Sequence, residues 1–130
     1  GTALTGWDLF GTNGLRSTLQ GGGPAGLVLY ELSEFNLYAM EQELSMRWPD
    51  LHIECVMGDV KDWAHLRDTM GRSRPQVVFH AAAYKHVPLM EEHNAWAALA
   101  NNTLGTYHAA LAAARCGAAA SLRLKLMATL

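Results

Sequence analysis

Cysteine is scarce in this chain and arranged for no common purpose. Cys55 and Cys116 stand far apart, neither in a Cys-x-x-Cys pair nor in a Cys/His cluster with metal spacing. That excludes a disulfide framework and points to a reducing compartment. The six histidines form no His-x-x-x-His or His-Glu-x-x-His pattern, so no metal site is expected. No apolar run approaches the roughly 18 residues of a membrane span. The opening Gly1-Thr-Ala-Leu-Thr-Gly6 lacks the charged region and long apolar stretch of a signal peptide. We therefore expect a cytoplasmic protein with no span in this chain. A basic surplus is missing too: 10 Lys plus Arg against 12 Asp plus Glu leave a formal charge of −2, which disfavours nucleic acid as a partner. There is no internal repeat and no charge block.

What is present is a core. Half of the 130 residues are apolar and 17% are charged, the composition of one globular domain. A domain of this size buries about two-thirds of its unfolded surface without needing a staple. Gly26-Leu-Val-Leu-Tyr-Glu31, His52-Ile-Glu-Cys-Val-Met57 and Gln76-Val-Val-Phe-His-Ala-Ala82 read as strands, and a further strand is expected to end at Leu4-Thr5. Between them, Ser33 caps a helix with Leu37, Met40, Glu41 and Leu44 at helical spacing, and Asp62 caps another running to Met70. Ala95 to Cys116 reads as a third helix, with Gly117 just past its end. Strands alternating with helices of this length imply parallel βαβ units, hence an α/β fold with a doubly wound parallel sheet. Trp48, Trp63 and Trp96 are expected to pack helices onto that sheet, and Met40, Met46, Met70 and Met90 to fill gaps in the core.

Ligands of such sheets bind beyond the carboxyl ends of the strands. After the first strand come Gly6, Gly11 and Gly14, either a loop whose amides approach a pyrophosphate or an ordinary loop; the spacing does not match G-x-G-x-x-G. Glu31 closes the second strand, where an acid either accepts hydrogen bonds from ribose hydroxyls, favouring NAD over NADP, or begins a solvated turn. Asp59 follows the third, either binding an adenine amino group or capping the next turn. After the fourth, Ala81, Ala82 and Ala83 either leave room for a flat ligand or simply pack tightly, and Lys85 adds a cation for phosphates.

The segments Ser33-Glu-Phe-Asn-Leu-Tyr38, Glu41-Gln-Glu-Leu44, Gly58-Asp-Val60, Phe79 to Glu92 and Asn101-Asn-Thr-Leu-Gly-Thr106 resemble the CapD-type polysaccharide biosynthesis family. These are nucleotide-sugar 4,6-dehydratases and epimerases of the extended short-chain dehydrogenase/reductase group. The likeness runs from about Leu27 to Gly117. It implies a Rossmann-like NAD(P)-binding domain over residues 1–130, incomplete and without its substrate domain. It further implies that Asp59 and Val60 face adenine and that Ala81 to Ala83 line the dinucleotide. Lys85 and Asn101 would approach its phosphate and nicotinamide side, and Asn102 would brace the strand carrying the active site. Lys85, His86 and Glu91 would edge the sugar-nucleotide pocket. The implied chemistry is internal redox on a UDP-sugar: hydride leaves C4 for NAD(P)+, water leaves across C5 and C6, and the hydride returns to C6.

Two regions depart from the family. Its opening resembles Thr-Gly-x-Gly-Gly-x-Ile-Gly, whereas here Thr5-Gly6 is followed by Trp7 to Gln20 in another register. After Gly117, where Ser-Thr-Asp-Lys-Ala is expected, Ser121-Leu-Arg-Leu-Lys-Leu-Met-Ala-Thr-Leu130 stands instead, and no Tyr-x-x-x-Lys pair occurs. The chain also opens without Met and almost inside an apolar run, which suggests that an upstream part has been removed. Abrupt loss of likeness at both ends suggests local frame changes or a decayed copy. Without the Tyr/Lys base the isolated chain is expected to be catalytically silent. The rival expectations are a non-catalytic remnant and a dinucleotide-sensing module. The Ala-rich helix is a candidate partner surface, whose exposed apolar area would drive self-association into a homo-oligomer.

Overall fold

A computed structural model describes residues 2–5, 26–80 and 93–118. Strands β1 (Thr2–Thr5), β2 (Gly26–Glu31), β3 (His52–Met57) and β4 (Val77–His80) alternate with helices α1 (Glu34–Arg47), between β2 and β3, and α2 (Trp63–Ser73), between β3 and β4. After β4 come α3 (Ala95–Leu99), a π-helical turn (Ala100–Leu104) and α4 (Gly105–Arg115), with right-handed helical backbone at both junctions.

All pairings are parallel and the strand order is β3-β2-β1-β4. The chain therefore winds outward from β1 to β3 and then returns to the far side of β1. That reversal falls at β1 and β4, the Rossmann-like arrangement expected from sequence, in which ligands bind beyond the carboxyl ends of the strands. Thr5 lies opposite both Tyr30 and His80, and Glu31 opposite Met57, so the strand ends are level along one edge.

The continuous apolar run of β2 is explained by burial on both faces. Leu27 and Leu29 pack with Leu37, Met40 and Leu44 of α1, while Val28 and Tyr30 join Val60, Leu66, Met70, Val78, Ala112 and Ala113 on the other side. Helices thus cover the sheet on both faces. Ser33 Oγ accepts the Asn36 amide at 3.3 Å and Asp62 Oδ1 the His65 amide at 3.1 Å, so both expected caps form. Gly117 carries the left-handed backbone (φ 73°) that ends α4 and that a side chain would strain.

Two core expectations are corrected. Met46 is 84% exposed, because the stripe of Leu37, Met40 and Leu44 turns the inner face of α1 away from it. Trp96 is 77% exposed, since the long helix faces inward through Asn101, Gly105, Ala109, Ala112 and Ala113 instead. Met40, Met70, Trp48 and Trp63 do pack in the core or against it, and Met90 lies outside the described residues. The third helix is also not uniformly α, since the π turn interrupts it.

Candidate functional site

The ends of β2 and β3 form one tied unit. The Gly58 amide donates to the Glu31 carbonyl at 3.1 Å, drawing the turn after β3 against the end of β2. Tyr30, buried just before Glu31, reaches across that turn, and its hydroxyl donates to the Asp59 carbonyl at 3.1 Å. Its ring lies where a side chain at Gly58 would stand: a Cβ there would come within 2.2 Å of Tyr30 Cζ. Gly58 is therefore required for close approach. Burial, then the neighbouring Asp62 and Asp59 carboxylates, push the Tyr30 phenol up to about 12, so it serves as a neutral donor at ordinary pH.

Glu31 is 8% exposed. Its Oε1 accepts the Ser33 amide at 3.1 Å, while Oε2 is buried and, among the described residues, has no hydrogen-bond partner. A buried, unsatisfied carboxylate oxygen is costly, and a donor from a ligand would relieve it. The turn that Glu31 begins is thus not solvated at its carboxylate.

Asp59 is a turn cap. Its Oδ1 accepts the Lys61 amide at 2.9 Å, Oδ2 lies 3.4 Å from Lys61 Nζ, and its carbonyl also accepts the Asp62 amide at 2.9 Å. Val60 is 4% exposed, packed in the core and against Gly105, where a Cβ would approach Val60 Cγ2 to 2.6 Å. The Gly in Asn-Thr-Leu-Gly105-Thr accordingly lets the long helix sit directly on the Asp59–Val60 turn. Val60 anchors that turn through its side chain, and its carbonyl accepts from His108 Nδ1 at 2.9 Å.

At the end of β4, His80 is 6% exposed and its Nε2 lies 3.2 Å from Thr106 Oγ1, which ties the strand end to α4. Burial lowers its pKa to about 4, so the ring is neutral at physiological pH. Asn101, in the π turn, is also 6% exposed, and its Nδ2 donates to Asn102 Oδ1 at 3.2 Å. π turns inside helices recur at functional sites, where they turn a side chain that a regular helix would place elsewhere.

Glu31 and the Asp59–Val60 turn are therefore adjacent, and Asn101 lies in the helix that Gly105 seats on that turn. Gly6, Gly11, Gly14, Ala81, Ala82, Ala83, Lys85, His86 and Glu91 lie outside the described residues. Sequence reasoning missed Tyr30, His80, Thr106 and His108. Tyr30 and His80 lie inside apolar runs and read as core, Thr106 closes a family segment without being singled out, and His108 carries no local signal. Among the described residues, no group of three His, Cys, Asp or Glu is placed to hold a metal ion, and no helix is long and apolar enough to cross a membrane.

Comparison with known proteins adds a family. A profile described as "Polysaccharide biosynthesis protein" matches residues 6–124. The capsular polysaccharide biosynthesis protein CapD of Staphylococcus aureus is 38% identical over 88 residues, which is 67% of this chain and 14% of that protein. UDP-glucose-4-epimerase from Stenotrophomonas maltophila, solved with bound NAD and formylated UDP-arabinopyranose, superposes with a TM-score of 0.74 at 19% identity, over 90% of this chain and 34% of that one. A double mutant of DesIV, a dTDP-glucose 4,6-dehydratase from Streptomyces venezuelae with NAD and DAU bound, gives 0.66 at 20% identity, over 90% and 36%. This chain thus spans about one-seventh of the first relative's length and about a third of each solved chain.

Proposed function

Because the chain belongs to the polysaccharide biosynthesis protein family, we propose that its 130 residues are the NAD-binding portion of a UDP-sugar 4,6-dehydratase or epimerase. The observation that carries this is Glu31 Oε2, buried at the carboxyl end of β2 with no hydrogen-bond partner among the described residues. A nicotinamide dinucleotide fits the residues present: the adenosine ribose hydroxyls supply the donors that this oxygen lacks. The Gly58–Asp59–Val60 turn would receive the adenine, and Asn101 the nicotinamide side. Ala81 to Ala83, Lys85 and the glycines at 6, 11 and 14 are assigned to the dinucleotide by the family likeness, and Lys85, His86 and Glu91 to the edge of the sugar nucleotide.

A bound nicotinamide dinucleotide supplies a hydride acceptor and donor. The chain's own residues bind and orient it. No Tyr-x-x-x-Lys pair occurs in the sequence, so the proton on the sugar hydroxyl has no partner here. The expected result for these 130 residues alone is therefore dinucleotide binding without turnover, and the second reading is a dinucleotide-binding module. Its free cysteines, Cys55 and Cys116, suit a reducing cytoplasm.

Glu31 also sets the coenzyme, since a 2′-phosphate would bring negative charge against its carboxylate. Calorimetric titration should therefore show NAD+ binding and much weaker NADP+ binding, with UDP-N-acetylglucosamine unconverted. Glu31→Ala should lower NAD+ affinity about tenfold or more, the worth of a hydrogen bond to a charged group. Absence of NAD+ binding at millimolar ligand would overturn the proposal, and equal binding of both coenzymes would overturn the part assigned to Glu31.

Trp96, Leu99, Leu104 and Tyr107 all project from the long helix, between 41% and 77% exposed. Such an apolar surface favours association between copies. Sedimentation at rising concentration should show oligomers, and a single monomer peak throughout would exclude them.

A further inference from the structure

His108 lies one turn beyond Gly105 on α4, outside every motif read from the sequence. Its Nδ1 stands 2.9 Å from the Val60 carbonyl, which can only accept, so Nδ1 carries the proton. The ring is held in place on two sides: Trp63 lies 5.5 Å away and tilted at 46°, and Tyr107 lies 6.1 Å away at 51°. Trp63 is itself covered by the Arg115 guanidinium, 5.2 Å from its ring centroid. The imidazole is thus packed between α2 and α4 with its donor aimed at the turn between β3 and α2.

That turn is fixed from three directions. Tyr30 holds the Asp59 carbonyl from the sheet, Lys61 holds the Asp59 carboxylate within the turn, and His108 holds the Val60 carbonyl from the helix. The first two act on Asp59. His108 is the side chain that ties the turn to α4 by a hydrogen bond, alongside the Val60–Gly105 packing.

We propose that His108 is a positioning residue for adenine recognition: its Nδ1–H locks the Gly58–Asp59–Val60 turn in the conformation that receives the adenine half of the dinucleotide. This rests on the dinucleotide-binding reading given above. It predicts an effect concentrated on one half of the ligand, because the turn follows β3, which β2 and β1 separate from the β4 end.

The test compares His108→Phe, which keeps a ring between Trp63 and Tyr107 but loses the donor, with His108→Asn, whose amide nitrogen can occupy the place of Nδ1. Titrations use NAD+, ADP-ribose and nicotinamide mononucleotide. Amide hydrogen exchange at Lys61 and Asp62, whose N–H groups are bonded to Asp59, is read without ligand. For His108→Phe we expect NAD+ and ADP-ribose binding to weaken about five- to tenfold, the worth of one hydrogen bond, with mononucleotide binding unchanged. Exchange at Lys61 and Asp62 should quicken by a similar factor. His108→Asn should restore both. Equal loss for the two half-ligands, or unchanged exchange in His108→Phe, would overturn the proposal. If the unaltered chain binds no NAD+, the dinucleotide reading falls and the adenine role of His108 with it, whereas failure of His108 alone leaves NAD+ binding intact.

Discussion

Between pH 6.5 and 4 the chain should lose about 3 kcal/mol of stability through His80 alone, and a His80→Gln variant should not lose it. The ring is 6% exposed and burial lowers its pKa from 6.5 to about 4. In the unfolded chain it titrates near 6.5, so through this window the unfolded state binds the proton that the folded state refuses. Stability therefore rises with pH across the window. The full contribution is present above pH 6.5 and is lost as pH falls to 4. Glutamine keeps a polar group where Nε2 meets Thr106 but cannot take a proton. Urea unfolding of both proteins at pH 7, 6, 5 and 4.5 isolates the His80 contribution from that of the carboxylates, which both share. Parallel curves would mean that His80 is charged in the folded state or is reached by water.

The structural consequence lies where the sheet's winding reverses. His80 ends β4 and lies opposite Thr5 of β1, at the point where the winding reverses. Its contact with Thr106 joins that point to the helix carrying Asn101 and Gly105. Charging the ring would cost burial of a cation between strand and helix.

The parts of this fold legible in the sequence are those with local causes. Ser33, Asp62 and Gly117 act within a turn of themselves, through a side-chain oxygen or a permitted backbone angle. The run Leu27 to Tyr30 shows its two-sided burial in composition alone. The places of Glu31 at the end of β2 and of Asp59 just past β3 were legible because each closes an apolar run. The π turn was not, because Asn101, Gly105 and Ala109 are spaced by four, which an ordinary helix also satisfies. Nor were the ties that hold the site: Tyr30 to Asp59 spans 29 positions, His80 to Thr106 spans 26 and Val60 to His108 spans 48. Each depends on which strand or helix becomes a neighbour, and periodicity carries no such information.

Gly58→Ala should destabilise the chain by up to about 3 kcal/mol, the upper part of the range for adding a methyl to a filled interior. The new Cβ would stand 2.2 Å from Tyr30 Cζ and 2.3 Å from its hydroxyl oxygen. Relief by rotating the phenol is blocked on both counts: the ring is 2% exposed in the core, and its hydroxyl is bonded to the Asp59 carbonyl. The ring must shift or the turn must lift, and either loses that bond. If the turn lifts, the Gly58 amide also leaves the Glu31 carbonyl, and the two residues assigned to the adenosine separate. Shortening the obstacle should undo most of the damage. In Gly58→Ala with Tyr30→Leu the methyl no longer meets an aromatic edge, so the pair should be clearly more stable than the two single losses added together. Denaturant midpoints of the four proteins measure this directly. Additive losses would mean that Gly58 is required for its backbone alone, while a double loss smaller than the sum would identify the Tyr30 ring as the reason that glycine follows β3.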